Sequence, residues 1–462
     1  MTNLDFIKIK RTRQQELSPE VRIKDHLEFK STYDNGALLD QSKRCMDCGT
    51  PFCHSACPLG NLIPEWNELT ALGINKKAWE RLEETNNFPE ITGRICPAPC
   101  ESDCTLGLIE EPVSIKGIEH TLSEIAFQNG WIKAKPPKVE TGKKIAVIGS
   151  GPCGLSAAQQ LRRKGHNVTI YDKNKTPGGL LTYGIPAFKL SKDVIKRRIS
   201  QLLAEGVVFK NEVEIGKDVN IDQLKTDYDA VLVAVGANKP RALKLENYNS
   251  DNILNNSDQI VGAEDFLKNQ IEVILCEEKR LSTHAKNKNV IVIGGGDTGA
   301  DCVGTSIRQG AFSVTQIEIH EQPAQIKSSS SHMEGCDRVW GTKTLRIRKN
   351  EEGLTSGVDT IKVYWDPNKG FVERHGTEKT YPADLILFAI GYDGFNRSLF
   401  HSSSFDNEYK EGKYLSTDKN FKLSAQNVFV AGDVRTGPSL VVNAINEGRK
   451  VAEEISKFVS HP

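Results

Sequence analysis

Seven of the eleven cysteines lie between residues 45 and 104. The first group is Cys45, Cys48, Cys53 and Cys57, the last followed by Pro58; the second is Cys96-Pro97, Cys100 and Cys104. Thiolates two to four residues apart can wrap one face of an iron–sulfur cubane, and a distant cysteine completes the set. The same spacing suits tetrahedral zinc, so that alternative stays open. A disulfide framework fits poorly: seven is odd, and no secretory signal precedes the group. Two 4Fe–4S clusters take about eight ligands, which leaves one position for another side chain. His54 stands inside the first group and reads as a plain loop residue.

Two glycine-rich turns supply a second chemistry. Gly149, Gly151 and Gly154 follow the apolar run IAVI and open an apparent helix. In that context the first glycine permits a tight turn, the second lets the backbone approach a pyrophosphate, and the third lets helix pack on strand. An acid is expected at the end of the next strand to bind a ribose, and Asp172 stands there. The second turn contains Gly294, Gly296, Asp297, Thr298 and Gly299. Its following strand ends near Glu318, His320 and Glu321, where an acid suits NAD. NADP favours Arg or Lys, and none lies in that strand; Arg308 and Lys327 are near in sequence only, and Arg308 is expected among the cofactor-binding residues. A third segment, NVFVAGDVRTGPSLVVNAINEGR, reads as strand, Gly432-Asp433, then helix. In flavoproteins with two dinucleotides an Asp here bonds the ribityl chain, and a helix N-terminus favours the reduced, anionic flavin. FAD is therefore expected at the first turn and a nicotinamide dinucleotide at the second.

These residues need elements to hold them. At ~150 residues per domain, 462 residues make about three domains. Basic and acidic side chains balance at 60 each, which argues against a nucleic-acid binder. No apolar run approaches the ~20 residues of a membrane span. A cytoplasmic protein is expected. Residues 61–88 read as two short helices with Trp66 and Trp79 in the core, and another amphipathic helix follows at about 115–128. The stretch WIKAKPPKVETGKK reads as a linker. From Lys144 onward, Val/Ile/Leu runs alternate with helices, the pattern of parallel sheets covered on both faces. The expected fold is α/β: a helical iron–sulfur domain (1–140), an FAD domain in two parts (141–259 and 395–462), and a nicotinamide domain inserted between them (260–394). Cys153, Cys276, Cys302 and Cys336 read as packing residues. No CxxC lies in either nucleotide region, which removes a redox-active disulfide.

The motifs RCMDCGTPFCHSACPLGNLIPEWNEL, TNNFPEITGRICPAPCESDCTLG, TGKKIAVIGSGPCGLSAAQQL, GGLLTYGIPAFKL and VIVIGGGDTGADCVGTSIRQGA are long and specific. Through them nearly the whole chain resembles the small (β) subunit of NADPH-dependent glutamate synthase. The N-terminal half of dihydropyrimidine dehydrogenase is a more distant relative. The resemblance implies FAD, NADPH and two 4Fe–4S clusters. It implies Cys45, Cys48, Cys53 and Cys104 on one cluster, and Cys57, Cys96 and Cys100 on the other, with Glu119 as eighth ligand. It places Gly178, Gly179, Leu180, Ile185 and Pro186 in a loop beside the FAD. It implies electron delivery to a large subunit that makes glutamate from glutamine and 2-oxoglutarate. The alternative is a stand-alone reductase of ferredoxin, flavin or small acceptors. Two features depart from the family: the segment HEQPAQIKSSSSHMEGC is short, and Asn443 stands where Trp is frequent.

Overall fold

The computed structural model describes residues 5–242, 244–249, 258–278, 280–324, 329–401, 403–405, 413–424 and 427–460. Lys327 lies outside them. The N-terminal region is helical. Ile63–Ala71 and Asn75–Thr85 pack together, and Pro89–Ile95 lies against Ile115–Gln128. The 115–128 helix buries Ile115, Ile118, Leu122 and Ala126, one apolar stripe at helical spacing. Gly117 within it admits the Tyr33 ring: a Cβ there would sit 2.8 Å from Cε2 of Tyr33. Trp66 and Trp79 fill the centre of this unit with Leu82, fully buried.

A five-stranded parallel sheet follows, in the spatial order Val428–Val430, Ala230–Val233, Lys144–Ile148, Asn167–Tyr171, Val208–Lys210. Its edge strand comes from near the end of the chain, with Val428 paired to Val231. The first dinucleotide fold is thus split around what lies between. The strands read as unbroken apolar runs because both faces are covered; the helices Pro152–Arg163 and Val441–Ser460 share one face.

The insert has its own five-stranded parallel sheet, ordered Asp337–Val339, Ser313–Ile317, Asn289–Ile293, Leu385–Phe388, Ile260–Gly262. Between its fourth and fifth strands in chain order lies an antiparallel sheet of Thr342–Lys349, Thr355–Asp366, Gly370–Glu373 and Lys379–Pro382. These strands contain no continuous apolar run. Half-exposed antiparallel strands alternate instead, and theirs are rich in Lys, Arg and Thr.

The three units are tied by buried charges. Arg198 grips Glu90 through two hydrogen bonds of 2.7 and 2.6 Å, with both side chains sealed from solvent. Glu28 accepts from Arg94 and from the backbone N–H of Ser191. Arg22 crosses from the helical unit to Glu334 of the insert at 2.5 Å.

Candidate cofactor and cluster site

The first glycine turn sits between the strand Lys144–Ile148 and the helix Pro152–Arg163. Gly149 has φ +102°, and a Cβ there would lie 2.5 Å from the carbonyl oxygen of Ala234. Gly154 is equally intolerant: its Cβ would strike the carbonyl oxygen of Gly149 at 2.0 Å. Gly151 differs, since a Cβ there meets nothing within 4 Å. Its backbone faces open space, which fits the approach of a pyrophosphate to the helix N-terminus. Asp172 stands at the end of the neighbouring strand. Its Oδ2 accepts from the N–H and hydroxyl of Ser150, and its Oδ1 from the N–H of Asn174. The acid therefore braces the turn while lining the cavity. Gly179 packs on Gly151, with a would-be Cβ 2.9 Å from its Cα, and Leu180 and Ile185 line the same space.

The second turn repeats this architecture. Gly294 has φ +120° and lies against the carbonyl of Ala389; Gly299 lies against that of Gly294. A Cβ on Gly296 again meets nothing within 4 Å. Glu318 takes the bracing role, accepting from the Gly295 N–H at 2.6 Å and the His320 N–H at 2.8 Å. Asp297 and Thr298 open the helix Asp297–Arg308 and line the shared cavity.

Arg308 requires a correction. It does not face the nucleotide cleft. It lies at the far end of that helix, with its side chain fully buried, bonded to Glu334 at 2.5 Å and stacked over Phe188. A basic group near the strand end comes from elsewhere. Arg338, on the parallel neighbour strand Asp337–Val339, is electrostatically coupled to Glu318 and lies 4.2 Å over the Trp340 ring. Sequence reasoning missed Arg338 because only strand pairing brings it there.

The C-terminal segment returns to the first site. Gly432 has φ +80°, and its N–H donates to Glu447 on the final helix at 2.8 Å. Arg435 pairs with the same carboxylate. Asp433 lines the cavity and accepts from Ser439 Oγ at 2.8 Å; burial raises its pKa. Leu440, Val441 and Ala444 line the cavity beside it, and Asn443 occupies the same helical turn.

The cysteines fall into two sets. Cys45 is electrostatically coupled to Cys48, Cys53 and Cys104, and all four line one small cavity. Cys100 is coupled to Cys57, Cys96 and Glu119. All seven are free thiols. Burial pushes Cys45 up to about 12, and Cys53 and Cys96 to about 11; it also raises Cys57 and Cys100. Glu119 is buried and lifted to about 7, chiefly by desolvation. Both of its hydrogen bonds, from Asn86 at 2.8 Å and Thr92 at 2.7 Å, go to Oε1. Oε2 carries neither of them. Two sets of thiols, four in one and three beside a carboxylate in the other, match the donor chemistry of two 4Fe–4S clusters. His54 is set apart, on the short helix Phe52–Ala56, with Glu65 as its charged neighbour.

One cavity of about 760 Å³ joins these features. It runs from Gly149, Gly151 and Asp433 to Asp297 and Thr298 on one side and to Cys96 and Pro97 on the other.

The comparisons agree with this construction. Residues 143–448 match the pyridine nucleotide-disulphide oxidoreductase family, and residues 22–131 match dihydropyrimidine dehydrogenase domain II, 4Fe–4S cluster. The chain is 41% identical to the glutamate synthase (NADPH) small chain of Bacillus subtilis, covering 98% of this chain and 97% of that one. It is 34% identical to the Escherichia coli small chain, covering 98% of each. The NADH glutamate synthase of Saccharomyces cerevisiae is 40% identical over 98% of this chain, which spans 22% of that longer protein. Mycobacterium tuberculosis FprA in complex with NADPH shares the fold at 17% identity and a TM-score of 0.54, covering 69% of this chain and 85% of that one. The protein is an FAD- and NADPH-dependent oxidoreductase with a 4Fe–4S domain. Two braced dinucleotide turns, a thiol-rich helical unit and this degree of identity together make the chain a member of the glutamate synthase small-chain family.

Proposed function

We propose that this chain is the electron-input half of a cytoplasmic glutamate synthase. It takes reducing equivalents from NADPH and delivers them to a large partner that forms glutamate from glutamine and 2-oxoglutarate. FAD, when bound, supplies the exchange between two-electron hydride chemistry and the one-electron chemistry of iron–sulfur clusters. The observation that carries this reading is the single cavity linking both dinucleotide turns to Cys96.

The chain's own residues divide the work. Gly149, Gly151 and Gly154 admit the FAD pyrophosphate, and Asp172, Gly179, Leu180, Ile185, Gly432 and Asp433 wall the rest of its site. Gly294, Gly296, Asp297, Thr298 and Gly299 take the nicotinamide dinucleotide. Lys189 holds Asp301 at 2.5 Å and so fixes the two dinucleotide units relative to each other. That orientation supplies proximity, and hydride transfer itself asks for no acid–base residue. Cys45, Cys48, Cys53 and Cys104 hold one cluster; Cys57, Cys96, Cys100 and Glu119 hold the second. The boundaries 1–140, 141–259, 260–394 and 395–462 belong to the same reading. The fused yeast relative supports a large partner, because there a chain like this one forms part of a longer protein.

Anaerobic addition of NADPH to the purified holoprotein tests the reading. Flavin absorbance should bleach, and the reduced-cluster electron paramagnetic resonance signal should follow. Bleaching without any cluster signal would overturn the electron route.

Arg338 bears on cofactor choice. It supplies the positive charge that an NADP 2′-phosphate needs beside the acid at the strand end. Arg338→Ala should raise KM for NADPH about tenfold, ~1.4 kcal/mol of binding, and leave KM for NADH unchanged. Steady-state kinetics with both nucleotides measures this.

A further inference from the structure

We propose that Lys116 sets the reduction potential of the cluster held by Cys57, Cys96, Cys100 and Glu119, favouring electron entry from the flavin side. The assignment rests on the two-cluster reading above and adds a residue that holds no cofactor itself.

Lys116 stands in the first turn of the helix Ile115–Gln128, one turn before Glu119. Its side chain lines the large cavity together with Cys96 and Pro97. It therefore occupies the wall between the flavin space and the three-cysteine set. Its electrostatic neighbours are Cys96, Glu101 and Glu119, which hold its proton, and Lys30, which repels it.

None of these groups neutralises the ammonium directly. Lys30 pairs with Glu16 at 2.9 Å. Glu101 pairs with Arg11 at 2.5 Å and accepts from the backbone N–H of Lys116 at 2.9 Å. Glu119 spends Oε1 on Asn86 and Thr92. Among the described residues no carboxylate lies within ion-pair distance of the Lys116 ammonium. Burial accordingly lowers its pKa.

The position also opposes local stability. A cation in the first turn of a helix meets the positive end of the helix dipole. Partial burial without a partner adds a desolvation cost. Neither the helix dipole nor ion pairing accounts for a charged side chain here. An anionic neighbour does. A 4Fe–4S cluster on three thiolates and a carboxylate becomes more negative by one charge when it gains one electron. No proton moves in that step, and Lys116 keeps its own. A nearby fixed cation stabilises the reduced form over the oxidised one, since net charge and its surroundings tune cluster potentials.

The test is a redox titration of the full-length holoprotein, purified without oxygen and followed by cluster electron paramagnetic resonance. Lys116→Met should make reduction of one cluster about tenfold less favourable, a downward shift of about 59 mV for one electron. The other cluster should not move. Lys116→Arg, which keeps the charge, should stay within about twofold of the parent. Lys116→Gln serves as the neutral variant should Lys116→Met lose iron. Unmoved potentials in the neutral variants would overturn the assignment, and so would an equal shift in Lys116→Arg, which would mark shape rather than charge. Iron present with an unmoved potential defeats only the Lys116 assignment. A parent chain without iron defeats the cluster reading and this assignment with it.

Discussion

Anaerobically purified Cys100→Ala protein is expected to carry about four irons per chain, against about eight in the parent. Cys100 is half-buried beside Cys57, Cys96 and Glu119. The set of Cys45, Cys48, Cys53 and Cys104 lines its own cavity and should keep its cluster. Iron analysis and electron paramagnetic resonance together measure the effect. One signal should vanish and one persist. Loss of both would mean that the two sets fold as one unit. Loss of neither would remove Cys100 from the ligand set. Flavin content reports on folding, because the dinucleotide sheet shares no strand with the helical unit.

The second large effect lies at the joint between those units. Arg198→Met is expected to destabilise the protein by about 3–5 kcal/mol, because it strands the Glu90 carboxylate in a buried site. Glu90 is fully buried, and Arg198 supplies both of its close charge-assisted hydrogen bonds. The Arg198 guanidinium also lies 5.5 Å from the rings of Phe88 and Phe127, and it bonds Gln201. Adding Glu90→Gln should recover most of the loss, since a neutral amide costs far less to bury than a charge. Denaturant unfolding of the single and double variants measures both values. If the double variant is as unstable as Arg198→Met alone, packing of the guanidinium outweighs the stranded charge. The pair joins the helix that precedes Cys96 to the first dinucleotide unit, so its loss should also loosen the wall between flavin space and cluster.

The difference between what was legible and what was not follows from distance along the chain. Gly149, Gly151 and Gly154 lie within six residues; close backbone contacts leave no room for a side chain at the first and third, and the second faces open space. Such motifs are readable because the chemistry and the spacing sit in the same short segment. The parallel strands were readable for a similar reason: a strand covered on both faces must be apolar throughout. The antiparallel strands from Thr342 to Pro382 escaped notice because one face meets water, and Lys, Arg and Thr fill it. Arg308 shows the opposite failure. Its place after the second turn made it a phosphate candidate, yet a distant carboxylate, Glu334, claims it in the interior.

The sequence by itself determined the inventory: two dinucleotide turns and seven clustered thiols. These are properties of residue type and short spacing. Only the tertiary structure decided which groups meet. It put Cys104 beside Cys45, Cys48 and Cys53, and Glu119 beside Cys57, Cys96 and Cys100, groupings that the family resemblance implied and that spacing alone left open. It brought Glu447 to Gly432, Arg338 to Glu318, and Lys116 to the wall beside Cys96. Each of these meetings depends on strand order or helix packing between segments far apart in the chain. Burial then gives them their force, because a charge removed from water acts strongly on whatever the fold has placed beside it.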